Sequence, residues 1–353
     1  MKRISFEPQA FPIIYLISIY STLVISLFLQ RVQQSDGMVF LAFALPQIAH
    51  LLTIAIYSKF KKVDVLAAIP LKFKISPKDY IWTVLTVLGL FSMALLPNIL
   101  IMFLFDFVGL PASVRVPTMD SAKNILLGLL TICILPSLGE EALFRGVLVS
   151  SFREYGGVGV VLLSGLFFSL SHFNIAQTVY QFAIGALLCY LYLKTDNLVI
   201  PILIHFLNNA IALFLPAVIP FFKNLGFNFA TFAVLVPMCV IGLFIFVLAV
   251  RKLIKDVKSS SDIIVYEYQP EKDEFVAVAT QKAEKRELKN AFSIVKREVS
   301  NTFIAIINTF KKGENKKRLD FFKAQFPKTR RINNVIKIML AVIIGLWLLT
   351  ILL

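Results

Sequence analysis

The sequence is poor in charged residues. Only 16% of its 353 residues are Asp, Glu, Lys or Arg, whereas 58% are hydrophobic and the mean hydropathy is +0.79. Soluble domains carry about 25% charged residues, so the composition excludes an ordinary soluble protein. It indicates a membrane protein that crosses the bilayer several times.

Cysteine and catalytic signatures are scarce as well. The three cysteines, Cys133, Cys189 and Cys239, lie in apolar runs without CxxC spacing, which excludes a zinc knuckle and a disulfide framework. We expect them to be small core residues. The sequence also lacks an HExxH motif, a GxSG serine motif and a GxGD aspartate motif, so these protease classes have no support.

Long apolar runs dominate what is present. About 20 apolar residues span the hydrocarbon core of a bilayer, and the sequence has nine candidate runs: 10–30, 37–57, 79–108, 121–153, 158–172, 175–193, 198–215, 228–250 and 333–353. The run at 158–172 is short, so we expect its neighbours to shield it. The first run follows Met1-Lys2-Arg3 as in a signal peptide, but it is long and no small-residue cleavage site follows it, so we expect it to be retained.

The net charge of +15 follows the loops between these runs. Lysines and arginines cluster at every second loop, whereas the alternate loops hold only Arg31, Arg115 and Lys223. The positive-inside rule then places the amino terminus in the cytoplasm. This arrangement gives no support to nucleic-acid binding. The clustered residues are Lys2, Arg3, Lys59, Lys61, Lys62, Lys72, Lys74, Lys78 and the basic residues of 251–331.

These patterns predict an all-α fold: a polytopic transmembrane bundle of about eight core helices plus one C-terminal helix, with a basic cytoplasmic segment. We divide the chain into five parts. They are the N-terminal transmembrane helices (1–115), a central core (116–216), an eighth transmembrane helix (217–250), the basic segment (251–332) and the C-terminal helix (333–353).

The basic segment 251–332 has two recognisable patterns. An alternating stretch, IIVYEYQPEKDEFVAVA, predicts a β-hairpin that turns at 270–273. Apolar residues then recur every three or four positions from Leu288 to Phe310, which predicts an amphipathic helix. Such a helix binds membrane lipid, docks on a membrane protein partner, or packs on the rest of this protein.

The amphipathic stretch gives a testable prediction. Each basic residue near an anionic leaflet contributes about 1 kcal/mol to binding, so a peptide of residues 282–312 should gain helix on anionic vesicles and much less on neutral ones. Binding should weaken as salt rises, because salt screens the attraction. Circular dichroism measures both effects. A peptide that ignores vesicles but captures a specific membrane protein would identify a docking module.

Ionisable residues interrupt the fourth apolar run in the stretch LGEEALFRGVL, residues 139–149. A charge at the bilayer centre costs about 2.5 to 3.5 kcal/mol, so such residues usually face the protein interior and mark function. Glu141 and Arg145 are four residues apart and can pair on one helix face. Glu140 points about 100 degrees away from Glu141 and lacks such a partner.

Two of the three histidines follow in nearby runs. FSLSH ends at His172, and HFLNN places His205 and Asn209 on one helix face. At 1.5 Å per residue from the cytoplasmic ends, Glu140 and His172 lie roughly 20 Å deep and Asn209 roughly 15 Å deep. A carboxylate, two imidazoles and an amide in one layer can activate water and stabilise an oxyanion, which is what amide hydrolysis requires.

EEALFR, FSLSH and HFLNN resemble the EExxxR, FxxxH and HxxxN motifs of the CPBP intramembrane proteases, in the same order. That family includes the type II CAAX prenyl endopeptidases and the bacterial Abi proteins. The resemblance implies an intramembrane endopeptidase that cleaves a membrane-associated peptide or protein. It implies that Glu140 activates water with His172, that His205 and Asn209 stabilise the oxyanion, and that Glu141, Arg145 and Phe168 support the site.

The resemblance leaves cofactor and setting open. Two histidines and a glutamate can bind zinc, but a carboxylate with an oxyanion hole needs no metal, so we expect no metal or other cofactor. We expect an integral membrane protein of a bacterial cell membrane. His50 is the third histidine, and a lone histidine in an apolar helix is usually a core residue.

Other functions remain open. A non-catalytic scaffold of the same fold, regulating a membrane enzyme or sensor, would explain the added basic segment but not the complete set of catalytic residue types. A bacteriocin self-immunity protein is a further possibility within the resemblance. A proton-coupled transporter lacks the expected inverted repeat. Polar residues that only join helices explain single positions better than three ordered motifs.

Overall fold

A computed structural model describes residues 5–7, 9–30, 36–73, 75–109, 117–152, 157–219, 221, 228–260, 263–269, 274–281 and 343–345. The chain falls into two compact units. The first comprises Met1–Ile254 with Ile338–Leu353, and the second is Lys255–Lys337.

The first unit is a bundle of helices. The described helices are α1 (Ala10–Gln30), α2 (Asp36–Lys61), α3 (Val65–Ala68), α4 (Pro77–Phe107), α5 (Ala122–Phe152), α6 (Gly157–Leu170), α7 (Ile175–Thr195), α8 (Val199–Val218) and α9 (Phe229–Ser260). Eight of the nine predicted spans therefore correspond to helices. Of the predicted span 333–353, only 343–345 are described, and they are helical.

Within the described residues, five helices are long and apolar enough to cross a membrane: Gly37–Lys61, Pro77–Phe107, Ala122–Phe152, Val199–Pro216 and Phe229–Ile254. Ala10–Ile25 and Gly159–Leu170 are shorter apolar helices. Large apolar side chains cover the outside of the bundle, as Phe244 and Val240 of α9 illustrate with 70% and 65% exposure. The protein is an integral, polytopic membrane protein with the expected all-helical bundle.

Polar residues at the helix ends set where the spans begin and stop. Ser76, Ser121 and Asn174 precede α4, α5 and α7, and each side-chain oxygen accepts a backbone N–H of the first turn. This N-cap satisfies a donor that the helix itself cannot pair. Asp196 ends α7 in the left-handed conformation, with φ of 46°.

Glycines let two pairs of helices approach closely. A Cβ atom on Gly165 of α6 would lie 2.9 Å from the carbonyl oxygen of Phe182 in α7. A Cβ atom on Gly89 of α4 would lie 2.5 Å from the backbone nitrogen of Phe246 in α9. Small residues are the usual means of close helix packing in membranes.

Pro97 provides a second contact between α4 and α9. Proline has no N–H, so it leaves the carbonyl four residues earlier without its helical donor. That carbonyl belongs to Met93, and the thiol of Cys239 in α9 donates to it at 3.3 Å. Cys239 is half-buried, while Cys133 and Cys189 are buried in the bundle, and all three are free.

The second unit contains the predicted hairpin. Strands β1 (Ile263–Gln269) and β2 (Glu274–Gln281) pair antiparallel, with an irregularity between Val265 and Tyr266. These are the only strands in the part of the chain that the structure describes. The predicted amphipathic helix from Leu288 to Phe310 lies outside the described residues.

Candidate active site

Helix α5 carries the site and departs from regular α-helical geometry on both sides of it. Leu129–Ile134 and Ala142–Leu148 are π-helical, and the α-helical turns Leu135–Glu141 lie between them. Isolated π segments are rare and occur frequently at functional sites. They rotate the following side chains relative to a regular helix, so spacing alone does not fix their directions.

A hydrogen bond attaches α8 to this part of α5. The carbonyl oxygen of Ile132 lies in the π-helical segment just before Pro136, and the amide nitrogen of Asn209 in α8 donates to it at 3.1 Å. A side chain of one helix therefore pairs with a backbone carbonyl of another, next to a proline that has no N–H of its own.

Glu141 is the centre of a buried ionic group. Its Oε1 accepts a hydrogen bond from Nη1 of Arg145 at 2.9 Å and one from Nδ1 of His205 at 2.8 Å. Glu141 and Arg145 are fully buried, and His205 is 4% exposed. The pair expected from the four-residue spacing is present, and it also holds a histidine.

Arg145 is further enclosed by α6 and α7. Its Nη2 donates to the carbonyl oxygen of Gly185 at 2.8 Å, and its guanidinium lies 4.7 Å from the ring centroid of Phe168. A Cβ atom on Gly185 would lie 3.0 Å from the Phe168 ring, so glycine leaves room for this ring. The arginine therefore links three helices through a carboxylate, a carbonyl and an aromatic face.

Glu140 has different surroundings from its neighbour. Its Oε1 accepts a hydrogen bond from Nε2 of Gln47 in α2 at 2.8 Å. Its Oε2 has no hydrogen-bond partner among the described residues and lies 3.9 Å from Nε2 of both His172 and His205. One carboxylate oxygen is thus fixed, and the other faces two imidazoles.

The hydrogen bonds of the two imidazoles determine their tautomers. His172 lies just after the end of α6, and its Nδ1 is 2.7 Å from the carbonyl oxygen of Phe168. A carbonyl can only accept, so this Nδ1 carries a proton. The contact of His205 Nδ1 with the Glu141 carboxylate favours the same tautomer. Both histidines therefore present Nε2 to Glu140.

Asn209 is held by a short chain of polar groups. Its Oδ1 accepts from the amide nitrogen of Asn208 at 3.4 Å, and the Asn208 Oδ1 accepts from the Tyr180 hydroxyl of α7. One hydrogen of the Asn209 amide bonds the carbonyl oxygen of Ile132, and the other is available to another acceptor. Its bond to Ile132 joins α8 to α5, so its position is set without a contact to Glu140.

The structure thus brings Glu140, His172 and His205 together and places Asn209 one helical turn beyond His205. Glu141 contacts His205, and Arg145 contacts Glu141 and the ring of Phe168. Sequence reasoning missed Gln47 and the pair Tyr180 and Asn208. The available signal for Gln47 was a long polar side chain within an apolar run, three residues before His50. His50 is buried, with 4% exposure.

A buried carboxylate therefore faces two imidazoles inside a helical membrane bundle. Residues 122–211 match the family described as type II CAAX prenyl endopeptidase Rce1-like. The match contains all three motifs and confirms the resemblance over this segment. It supports an intramembrane endopeptidase of the CAAX protease type.

Comparisons with curated proteins and with solved structures found no match. The matched segment begins with α5 and ends within α8. Helices α1 to α4, α9 and the second unit lie outside it.

Proposed function

We propose that this protein hydrolyses a peptide bond of a membrane-associated peptide or protein, with Glu140 as the general base that activates water. The arrangement of Glu140 carries the proposal: Oε2 lies 3.9 Å from Nε2 of His172 and of His205, while Gln47 occupies Oε1. A water 2.8 Å from both atoms of such a pair is geometrically feasible. Oε2 is then the atom that takes the proton.

His172 and His205 take different roles because their Nδ1 partners differ. The Phe168 carbonyl accepts from Nδ1 of His172, so in the proposed reaction Nε2 of His172 accepts a hydrogen bond from the nucleophilic water. Glu141 Oε1 lies 2.8 Å from Nδ1 of His205 and orients its ring, and we assign His205 the role of the doubly protonated histidine in this reaction. The protonated Nε2 of His205 can then donate to the oxyanion.

The proposed reaction adds one water molecule across the carbon–nitrogen bond of the peptide. The water oxygen attacks the carbonyl carbon as Glu140 takes one water proton, and the carbonyl oxygen becomes an oxyanion. Nε2–H of His205 and the remaining amide hydrogen of Asn209 stabilise that charge. The carbon–nitrogen bond then breaks, and Glu140 passes its proton to the leaving amine. The new carboxylic acid loses its proton to His172 or to solvent.

We propose that the reaction uses no metal. Ligand atoms around tetrahedral zinc lie about 2.0 to 2.2 Å from the ion and therefore about 3.3 to 3.6 Å from one another. Glu140 Oε2 lies 3.9 Å from each histidine nitrogen, and no group of three His, Cys, Asp or Glu side chains among the described residues has the spacing of a metal site. This wider spacing supports a metal-free reaction.

Metal dependence can be measured directly. Purified protein should contain no stoichiometric zinc by elemental analysis, and a strong chelator should leave its peptidase activity unchanged. Zinc at one ion per chain, with loss of both zinc and activity in His172→Ala, would contradict a metal-free mechanism.

We propose a cytoplasmic amino terminus, because the basic loops alternate with the spans. We propose a bacterial cell membrane as the location, in line with the resemblance to the family that includes the bacterial Abi proteins. The substrate is then a membrane-associated peptide or protein. For the basic segment 251–332 we propose three alternatives: it binds membrane lipid, docks on a membrane protein partner, or packs on the rest of this protein.

One comparison tests the proposed function. Membrane peptides are identified by mass spectrometry in cells that produce either the wild type or Glu140→Gln at equal level. We expect cleavage products with new termini only with the wild type. Identical peptide sets from both cells would contradict the enzyme and favour the scaffold.

Asn209 provides a further prediction. Asn209→Ala removes an oxyanion donor, so kcat should fall about 10²- to 10³-fold with little change in KM. Loss of the hydrogen bond to Ile132 should lower stability by only about 0.6 kcal/mol, the average for an interhelical bond. Peptidase kinetics and thermal unfolding measure the two effects.

The neighbouring residue supplies the control for this prediction. Asn208→Ala leaves the Asn209 amide in place but removes the support of its Oδ1. We expect a smaller fall in kcat than for Asn209→Ala. Full activity of Asn209→Ala would show that the amide does not reach the oxyanion.

A further inference from the structure

The catalytic centre includes a residue that lies outside the segment matched by the family. Gln47 of α2 donates from Nε2 to Glu140 Oε1 at 2.8 Å, and both residues are buried, with 7% and 8% exposure. We propose that Gln47 is the positioning residue of Glu140, which directs Oε2 toward the two histidines and favours the charged carboxylate. This inference rests on the proposed role of Glu140.

The two oxygens of Glu140 explain why a positioning residue is required. A terminal carboxylate torsion is broad and roughly two-fold, so an unrestrained carboxylate can turn either oxygen to the imidazoles. The Gln47 hydrogen bond fixes Oε1 and leaves Oε2 facing His172 and His205. One defined basic atom at a defined distance is what general-base catalysis needs.

The same hydrogen bond affects the charge of Glu140. Arg145 forms an ion pair with Glu141, so among the described residues no arginine pairs with the carboxylate of Glu140. An N–H donor stabilises a charged carboxylate more than the neutral acid. Gln47 therefore supplies, as a neutral donor, part of the stabilisation that an ion pair gives to Glu141.

The local sequence of α5 allows this contact. A Cβ atom on Gly139 would lie 2.8 Å from Gln47 Oε1 and 3.1 Å from its carbonyl oxygen. Glycine at position 139 thus lets α2 approach close enough for the Gln47 side chain to reach Glu140. Gly139 and Gln47 form a matched pair, one providing the space and the other the donor.

The inference is tested with the full chain in detergent and needs no substrate. Dicyclohexylcarbodiimide, an apolar reagent, modifies protonated carboxyl groups, and mass spectrometry measures modification of Glu140 across a pH series. Glu140→Gln is the blank. Other ionisable groups near Glu140 are His50 on α2, Glu141 and Arg145 on α5, His172 after α6 and His205 on α8, and none of them is changed.

Gln47→Met keeps the length of the side chain and removes the donor. We expect the pH of half-maximal Glu140 modification to rise, because a hydrogen bond to the charged carboxylate is lost. Gln47→Glu places a second carboxyl beside Glu140 and should also raise it. Ser58→Ala, a buried polar residue elsewhere on α2, should behave as the wild type.

Activity adds an independent measurement. Gln47→Met should lower kcat about tenfold with KM unchanged, and the acidic limb of the pH–activity profile should move upward with the modification midpoint. An unchanged midpoint in folded Gln47→Met overturns the inference, and so does failure of both Gln47 variants to fold, which would make Gln47 structural. A shifted midpoint in a protein that cleaves no peptide supports the Gln47 contact and contradicts the proposed function.

Discussion

Glu140→Gln is expected to lower peptidase activity by about 10²- to 10⁴-fold, the usual contribution of a general base. An amide has the size of a carboxylate but cannot take a proton from water. Its oxygen can still accept the hydrogen bond from Gln47, so the fold should be preserved. Peptidase kinetics and the thermal unfolding midpoint in detergent measure activity and fold.

The matched control is Glu140→Asp, which keeps the carboxylate but shortens the side chain. It should retain more activity than Glu140→Gln, because a displaced base is still a base. Equal activity of Glu140→Gln and wild type would show that Glu140 does not take the proton.

Glu141→Gln makes the same chemical change one residue later, but it should reduce stability as well as activity. It leaves Arg145 buried at 0% exposure without a counter-charge, and breaking a buried ion pair costs about 3 to 5 kcal/mol. We expect a large loss of folded protein on thermal or denaturant unfolding. Activity should fall as well, because His205 loses the carboxylate that orients it.

A double-mutant cycle separates this charge effect from simple loss of packing. Arg145→Gln alone should also be strongly destabilising, whereas Glu141→Gln with Arg145→Gln removes both charges and should recover part of the stability. Additive losses in the double variant would mean that the two charges do not interact in the folded protein.

The apolar runs predicted most of the described bundle, because a bilayer demands long stretches without charge. Eight of the predicted runs are helical in the described residues, and five of these helices are long and apolar enough to cross a membrane. The four-residue spacing of Glu141 and Arg145 also predicted their ion pair. The family match over residues 122–211 confirms the resemblance that the three motifs carry.

The partners across helices could not be derived in the same way. The contact between Gln47 and Glu140 joins residues 93 positions apart, and it depends on how closely α2 approaches Gly139. The hydrogen bond from Asn209 to the Ile132 carbonyl depends on π-helical turns just before Pro136, and no periodicity in the sequence indicates these turns. Such contacts arise from packing, and a single sequence contains no direct record of them.

The hydrogen bond from Asn209 to the Ile132 carbonyl has a consequence for biosynthesis. If the spans enter the bilayer in chain order, α5 is inserted before α8, and this carbonyl gains its Asn209 partner only when α8 docks. The same docking event brings His205 and Asn209 to the site. We therefore expect a nascent chain that ends before α8 to be inactive, so that no peptide is cut before the bundle is complete.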